Sequence, residues 1–221
     1  MERRTGLETA ERILGRNFVG PDQLESVKSR LGIESPFAIS DKVPEIGFDT
    51  SLLESNAKDY LLVLGVPLAA DGEPLTINKM RANFGVDPAA GEPCFYNQDW
   101  YLNEYFASSV SLQFGWYFIR KNVTEDTRGR LPDDIRRSAH KGSKFPSAIL
   151  STYIFFANYL VNSGELIWKN DFIWCDDTDH NGDRIYVGRY VDPAGLNKRG
   201  FNIHRHLALR RFHASADQLL P

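Results

Sequence analysis

Apolar residues recur at helical spacing in several stretches of the chain, and each stretch carries its own start or stop signal. Thr5 and Glu8 match a capping box that opens a short helix closed by Gly15. The same spacing predicts further helices over residues 21–32, 76–85 and 147–164. In the longest of these, two adjacent apolar stripes predict a helix that is buried nearly all round.

Strand signals dominate the remaining sequence. The apolar run YLLVLGVP predicts a strand that is buried on both faces. Beyond residue 166, Ile185 and Val187 alternate with Tyr186 and Tyr190, which is the period of a half-buried strand. Further strands are predicted over residues 110–119, 196–203 and 206–212. We therefore expect the chain to finish in a small antiparallel meander.

Together these elements predict an α+β fold, with short N-terminal helices and one long buried helix packed on a small antiparallel sheet. We expect one compact unit with an N-terminal helical region (1–58), a main domain (59–213) and a tail (214–221). Twelve of the 25 residues from 120 to 144 are charged. This density predicts a solvated, mobile loop at about 120–145.

The sequence DDTDHNGD, residues 176–183, fits two interpretations. Asp177, Asp179 and Asn181 match the opening of a calcium-binding loop, in which oxygens at alternate positions meet one cation. The twelfth position of such a loop, however, is Gly188 rather than a carboxylate, and strands rather than helices flank the stretch. Asn181-Gly182 fits a type I′ hairpin turn, which we prefer, with calcium as the alternative. A second turn is predicted over residues 192–195.

Composition and sequence motifs limit the possible cellular location and chemistry of the protein. Two cysteines are too few for a disulfide scaffold, and no C-x-x-C motif suggests zinc or redox chemistry. No signal peptide is evident and no apolar run is long enough for a membrane span, so we expect a cytoplasmic protein without membrane contact. No P-loop, G-x-G-x-x-G, G-x-S-x-G or H-E-x-x-H motif indicates an enzyme or a bound cofactor.

Four passages carry a resemblance to a known group of proteins. They are ILGRNFVGPDQLESV, DWYLNEYFASSVSLQFGWYFIRKNV, PSAILSTYIFFANYLVNSGE and NGDRIYVGRYVDPAGLNKRGF. In this order they resemble uncharacterised bacterial proteins that end in a C-type-lectin-like fold, some of which are variable targets of diversity-generating retroelements. That fold is shared with formylglycine-generating enzymes, which use two cysteines, but no motif around Cys94 or Cys175 matches theirs.

The resemblance implies a non-catalytic ligand-binding or display protein. In such a fold, buried strand residues stay fixed while outward side chains of the last strands and loops form a ligand face. Carried onto this sequence, the ligand-face candidates are Arg184, Tyr186, Tyr190, Asn197, Arg199, Asn202, His204, Arg205 and His206. The partner is expected to be a protein or a small ligand of acidic character.

Three alternatives stay open for the same region. His204 and His206, two residues apart on a strand, could present imidazoles to a zinc ion with His213, His180 or a carboxylate as third ligand, and so form a metal-dependent enzyme. Residues 184–213 carry seven Lys or Arg against one Asp, a net charge of +6 that leaves −9 on the rest of the chain. This basic segment could bind an anion or nucleic acid, or it could form salt bridges within the protein.

Overall fold

A computed structural model describes residues 4–139, 141–189, 200–206 and 208–221. The helices are α1 (Leu7–Leu14), α2 (Pro21–Leu31), α3 (Pro36–Ile39), α4 (Thr50–Asn56), α5 (Ile77–Phe84), α6 (Tyr105–Ser108), α7 (Pro132–Ser138) and α8 (Ala148–Val161). The strands are β1 (Arg4–Thr5), β2 (Phe18–Val19), β3 (Ile46–Asp49), β4 (Tyr60–Gly65), β5 (Gly115–Arg120), β6 (Ser143–Lys144), β7 (Phe172–Thr178), β8 (Arg184–Arg189), β9 (Phe201–Arg205), β10 (His213–Ala214) and β11 (Gln218–Leu219). The fold is α+β, as predicted.

The strands form two larger sheets and a small ribbon. One sheet has the order β2-β4-β5-β11-β6, the other has the order β10-β7-β8-β9, and β1 pairs with β3. The pairs β2–β4 and β10–β7 are parallel, and the other pairs are antiparallel. Residues 214–221 were expected to be a tail. Instead, β10 and β11 place the end of the chain in both larger sheets.

Helix α8 forms the centre of the core. It contacts α2, α5 and α6 as well as strands of both larger sheets. All of its residues except Tyr159 and Val161 are buried, which confirms the burial predicted from its two stripes. The Tyr153 hydroxyl donates a 3.0 Å hydrogen bond to the Leu64 carbonyl of β4 and so joins the helix to the five-stranded sheet.

Most of the local start and stop signals are confirmed. Gly32 ends α2 in the left-handed region at φ 74°. The hydroxyls of Thr76 and Ser147 accept backbone N–H groups in the first turns of α5 and α8. The capping box at Thr5 is wrong, because Thr5 lies in β1 and its hydroxyl donates to the Phe48 carbonyl at 3.0 Å. Gly6 takes the N-cap position of α1 instead.

The predicted loop at about 120–145 is folded. It contains α7 and β6, and Ile135 of α7 is buried. Several of its charges have partners in the protein; for example, Arg128 pairs with Asp171 and Glu125. The charge density that predicted a solvated loop therefore reflects ion pairs that hold this segment on the rest of the molecule.

Two predicted strands differ from the structure. Residues 110–119 were expected to form one strand, yet β5 begins at Gly115. The strand predicted over residues 206–212 does not form in the described part of that range, and the chain pairs again as β10 at His213. The turn predicted over residues 192–195 lies outside the described residues.

Candidate ligand-binding face

The four-stranded sheet has one face in the core and one face turned away from it. Side chains that alternate along the strands define the core face, and they are fully buried: Ile173, Cys175, Ile185, Val187 and Ile203. On the opposite side, the register places Trp174 opposite Tyr186, and Tyr186 opposite His204. We call this side the outer sheet face and define it as Phe172, Trp174, Tyr186, His204, His206 and His213.

Ring contacts connect the residues of the outer sheet face. The ring centroids of Tyr186 and His213 lie 4.3 Å apart, and those of Tyr186 and His204 lie 5.4 Å apart. Trp174 meets the His206 ring edge to face at 5.3 Å. Each of these distances is in the range of favourable aromatic packing, so the rings form one continuous surface.

Burial varies across this surface. Trp174 and His213 are 0% exposed, whereas Tyr186, His204 and His206 are half-buried. The side chains of Ile135 and Phe145 pack against Trp174, so α7 and the chain after β6 cover that part of the sheet. Trp174 and His213 are therefore the covered part of the outer sheet face, which we call its floor. Tyr186, His204 and His206 are the partly exposed part, which we call its rim.

The buried imidazoles of this face are neutral near pH 7. Burial, together with the nearby His206, His204 and Arg210, lowers the pKa of His213 to about 4. Burial also lowers the pKa of His204. Because Nδ1 of His213 accepts the backbone N–H of Arg210 at 3.2 Å, the neutral ring carries its proton on Nε2.

Three ring nitrogens on this face are buried and have no hydrogen-bond partner among the described residues. They are Trp174 Nε1, His206 Nδ1 and His213 Nε2. Buried polar atoms are almost always paired in folded proteins, since an unpaired one costs about 1–3 kcal/mol. A cluster of three therefore distinguishes this face from an ordinary protein surface.

The remaining ligand-face candidates have other positions. Arg184 lies on the outer side of β8, where its guanidinium donates to the Asp176 carbonyl at 3.0 Å. Asn202 is buried, and its amide donates to the Gly200 carbonyl at 2.9 Å. Arg205 lies on the core side of β9, 3.1 Å from the Asp179 carboxylate. Tyr190, Asn197 and Arg199 lie outside the described residues.

Internal ion pairs occupy much of the basic segment 184–213. Arg184 lies within 4 Å of Asp133 and Asp176, Arg189 pairs with Glu92 at 2.6 Å, and Arg205 pairs with Asp179. These contacts support the salt-bridging alternative for three of the seven cations. Arg210 is different, since it is exposed and has no ion pair among the described residues.

Residues 176–183 form a hairpin connection, but of a different type from the one predicted. The Gly182 N–H donates to the Asp179 carbonyl, and Gly182 alone of the two central residues has positive φ, at 85°. This is a three-residue loop with a left-handed glycine rather than a type I′ turn. The Asp179 side chain accepts the N–H groups of Asn181 and Asp183 at 2.9 and 2.8 Å. These two hydrogen bonds stabilise the three-residue loop relative to the predicted two-residue turn.

The carboxylates of the proposed calcium loop are already hydrogen-bonded. Asp177 accepts the Ala148 N–H at the start of α8 at 2.6 Å, and burial raises its pKa. Burial also acts to raise the pKa of Asp179, but the hydrogen bonds from Asp183 and Arg205 outweigh it and lower that pKa. Calcium at Asp177, Asp179 and Asn181 stays a prediction.

Another group of possible metal ligands lies at the same turn. Glu104, Asp179 and His180 place one ligand atom each within 4.8 Å of one another. Glu104 uses its oxygens on His180, one on the backbone N–H at 3.0 Å and one 2.6 Å from Nδ1. Among the described residues, His204 and His206 form no such group with a third ligand, and zinc at this pair likewise stays a prediction.

Both cysteines are buried free thiols. Burial raises the pKa of Cys94 to about 11 and raises the pKa of Cys175 as well. Thiolates are the reactive form of cysteine, so neither residue is prepared for nucleophilic chemistry at neutral pH.

Sequence reasoning missed three residues of this region. Neither Trp174 nor Phe172 is among the predicted ligand-face residues, and Arg210 enters the prediction only as part of the basic segment 184–213. The alternation Phe-Ile-Trp-Cys at residues 172–175 was the available signal for the first two. His213 was predicted only as one possible third zinc ligand. No residue near it in the sequence indicates that it forms strand β10 and pairs with β7.

Comparison with known proteins gives no relatives. No family model matches the chain, and neither the curated proteins nor the solved structures contain a significant match. Within the described ranges, no helix combines the length and the apolar character that crossing a membrane requires.

Proposed function

We propose that this chain is a non-catalytic ligand-binding protein whose outer sheet face binds an acidic ligand. The observation that carries the proposal is the half-buried rim of Tyr186, His204 and His206 around a floor of Trp174 and His213 with unpartnered ring nitrogens. Aromatic side chains beside a few polar groups are typical of the lining of ligand sites.

The protonation states favour an acceptor-rich ligand. Trp174 Nε1 and the neutral His213 Nε2 are hydrogen-bond donors, and neither has an acceptor among the described residues. Arg210 adds an exposed cation whose charge reaches both Tyr186 and His213. An exposed cation beside half-buried rings is complementary to a carboxylate or another oxyanion, and the rings supply apolar contact for the rest of the ligand.

We further propose that the fold is C-type-lectin-like and that the protein is related to the variable targets of diversity-generating retroelements. The four sequence passages support this, and so does the alternation at the start of β8, where Ile185 and Val187 are buried while Arg184 and Tyr186 lie on the opposite side. Substitution of Tyr186 or His204 leaves Ile185 and Val187 in place. Sister sequences that vary mainly at the outward positions, beside a reverse transcriptase gene, would support this relationship; variation scattered through the core would contradict it.

A selection experiment tests the ligand class. A phage-displayed library of random peptides is selected on the purified full-length chain, and we expect enrichment of Asp and Glu beside apolar residues. Tyr186→Ala and Arg210→Gln should each weaken the selected peptides by roughly tenfold or more. Arg137→Gln is the matched control, because Arg137 is exposed and its ion-pair partner, Asp134, lies on the same helix, α7.

The proposal fails if the selected peptides lack acidic residues, or if they bind the Tyr186 and Arg210 variants as well as the original chain. A single-stranded oligonucleotide in the same assay tests the nucleic-acid alternative. Tight binding that falls steeply with added salt would favour that alternative over an acidic ligand.

A further inference from the structure

A separate cavity lies beside the outer sheet face, on the other side of α7. Its volume is about 370 Å³, which is in the range of small-molecule sites. Strands β4 and β5, helix α4 and the end of the chain contribute to its walls. Ile135 of α7 lines this cavity and also packs against Trp174, so α7 separates the two sites.

One charged pair in the cavity is already neutralised. Arg120 Nε donates to Asp217 at 3.3 Å, and the Tyr60 hydroxyl donates to the same carboxylate at 2.9 Å. The Arg120 guanidinium also lies over the Tyr60 ring, 4.9 Å from its centroid. Burial, with the charge of Asp217, raises the pKa of Tyr60 to about 12, so the phenol stays protonated and keeps this arrangement at neutral pH.

Two other charged groups line the same cavity without such a partner. Arg130 donates to the Ser138 hydroxyl at 3.1 Å and to the Asp134 carbonyl at 3.4 Å, but it has no carboxylate partner among the described residues. Asp126 has no cationic partner within the same described set. The cavity thus combines one unpaired cation and one unpaired anion with an internally paired Arg120 and Asp217, and its formal charge is zero.

We propose that this cavity binds a small zwitterion of the amino-acid class. A carboxylate fits the planar donors of Arg130, and an ammonium group fits Asp126. Leu52, Ile135 and Leu219 form the apolar part of the wall and would contact the side chain of the ligand. A cavity lined by one unpaired cation and one unpaired anion favours such a ligand over a simple anion, which Asp126 repels, and over a simple cation, which Arg130 repels.

Ligand chemistry tests this inference on the unaltered chain. Thermal unfolding and calorimetry are recorded with the twenty L-amino acids, and then with the N-acetyl and C-amide forms of whichever amino acid binds best. We expect at least one amino acid with an apolar side chain to raise the unfolding temperature. Each blocked form should bind at least roughly tenfold more weakly, because each removes one of the two charges.

Variants then locate the site. Arg130→Gln and Asp126→Asn should each weaken binding of the amino acid roughly tenfold. The controls Arg137→Gln and Asp41→Asn should leave it unchanged, because Arg137 and Asp41, an exposed residue between α3 and β3, do not line the cavity. The Asp126→Asn variant should also lose its discrimination against the N-acetyl form. The inference is overturned if no amino acid binds the folded chain, if blocked forms bind equally well, or if both cavity variants bind like the controls.

Discussion

The rings of Tyr186 and His213 are 4.3 Å apart between centroids, although their strands, β8 and β10, are separated by β7. The contact places a fully buried imidazole beneath a half-buried phenol. Because burial keeps that imidazole neutral, its Nε2 is a buried donor that has no acceptor among the described residues. This relationship connects the fold of the C-terminal sheet with its proposed binding role.

The first prediction concerns stability at mildly acidic pH. The pKa of His213 is about 4 in the folded chain and near 6.5 when unfolded, so between these values the unfolded state binds more protons and stability falls as the pH falls. Between pH 7 and pH 5 this loss should amount to about 2 kcal/mol. Chemical denaturation at several pH values measures it.

The variant His213→Gln should flatten that pH dependence, because it removes the titrating group. His180→Gln is the control, since His180 is exposed. If the His213 variant loses as much stability as the original chain between these pH values, the neutral buried imidazole is contradicted.

The second prediction concerns the close contact of β7 and β8. A Cβ added to Gly188 would lie 2.1 Å from the Asp171 carbonyl oxygen, which is too close for any side chain. Gly188→Ala should therefore lower the free energy of unfolding by more than about 2 kcal/mol. Gly115→Ala is the control, since a Cβ there meets nothing within 4 Å. If the two variants were equally stable, the backbone at Gly188 would have to lie farther from the Asp171 carbonyl than the structure places it.

The third prediction concerns the turn after β7. Asp179→Ala removes the acceptor of two backbone N–H groups and the partner of Arg205, so we expect a loss of about 2–3 kcal/mol in unfolding free energy. Asp183→Asn is the control at the same turn. Because the Asp179 oxygens are already hydrogen-bonded, calcium should not raise the unfolding temperature. A calcium-dependent rise that Asp179→Ala abolishes would show that the turn is a cation site instead.

Signals that depend on adjacent residues were sufficient to predict much of the fold. The stop at Gly32, the caps at Thr76 and Ser147, and the burial of Ile185 and Val187 are all confirmed. In each case a few neighbouring residues determine the outcome, through a hydroxyl, a left-handed glycine or the period of a strand.

Features that depend on distant partners were not predictable. Arg128 and its neighbours indicated a solvated loop, because Asp171, which pairs with Arg128, lies far along the chain. Strand β10 has two residues, too few for any period, and its parallel pairing with β7 decides where His213 lies. Of the residues predicted to face outward, Tyr186 and His204 do lie on the outer sheet face, whereas Arg205 lies on the core side.

The imidazole signals of His204, His206 and His213 give the most direct test of binding at the outer sheet face. They are followed by heteronuclear NMR while the selected acidic peptide is added to the full-length chain. We predict that all three signals shift with the peptide, that the His180 signal does not, and that Arg210→Gln greatly reduces the shifts. Binding that leaves these three imidazoles unchanged would contradict a ligand site at the outer sheet face.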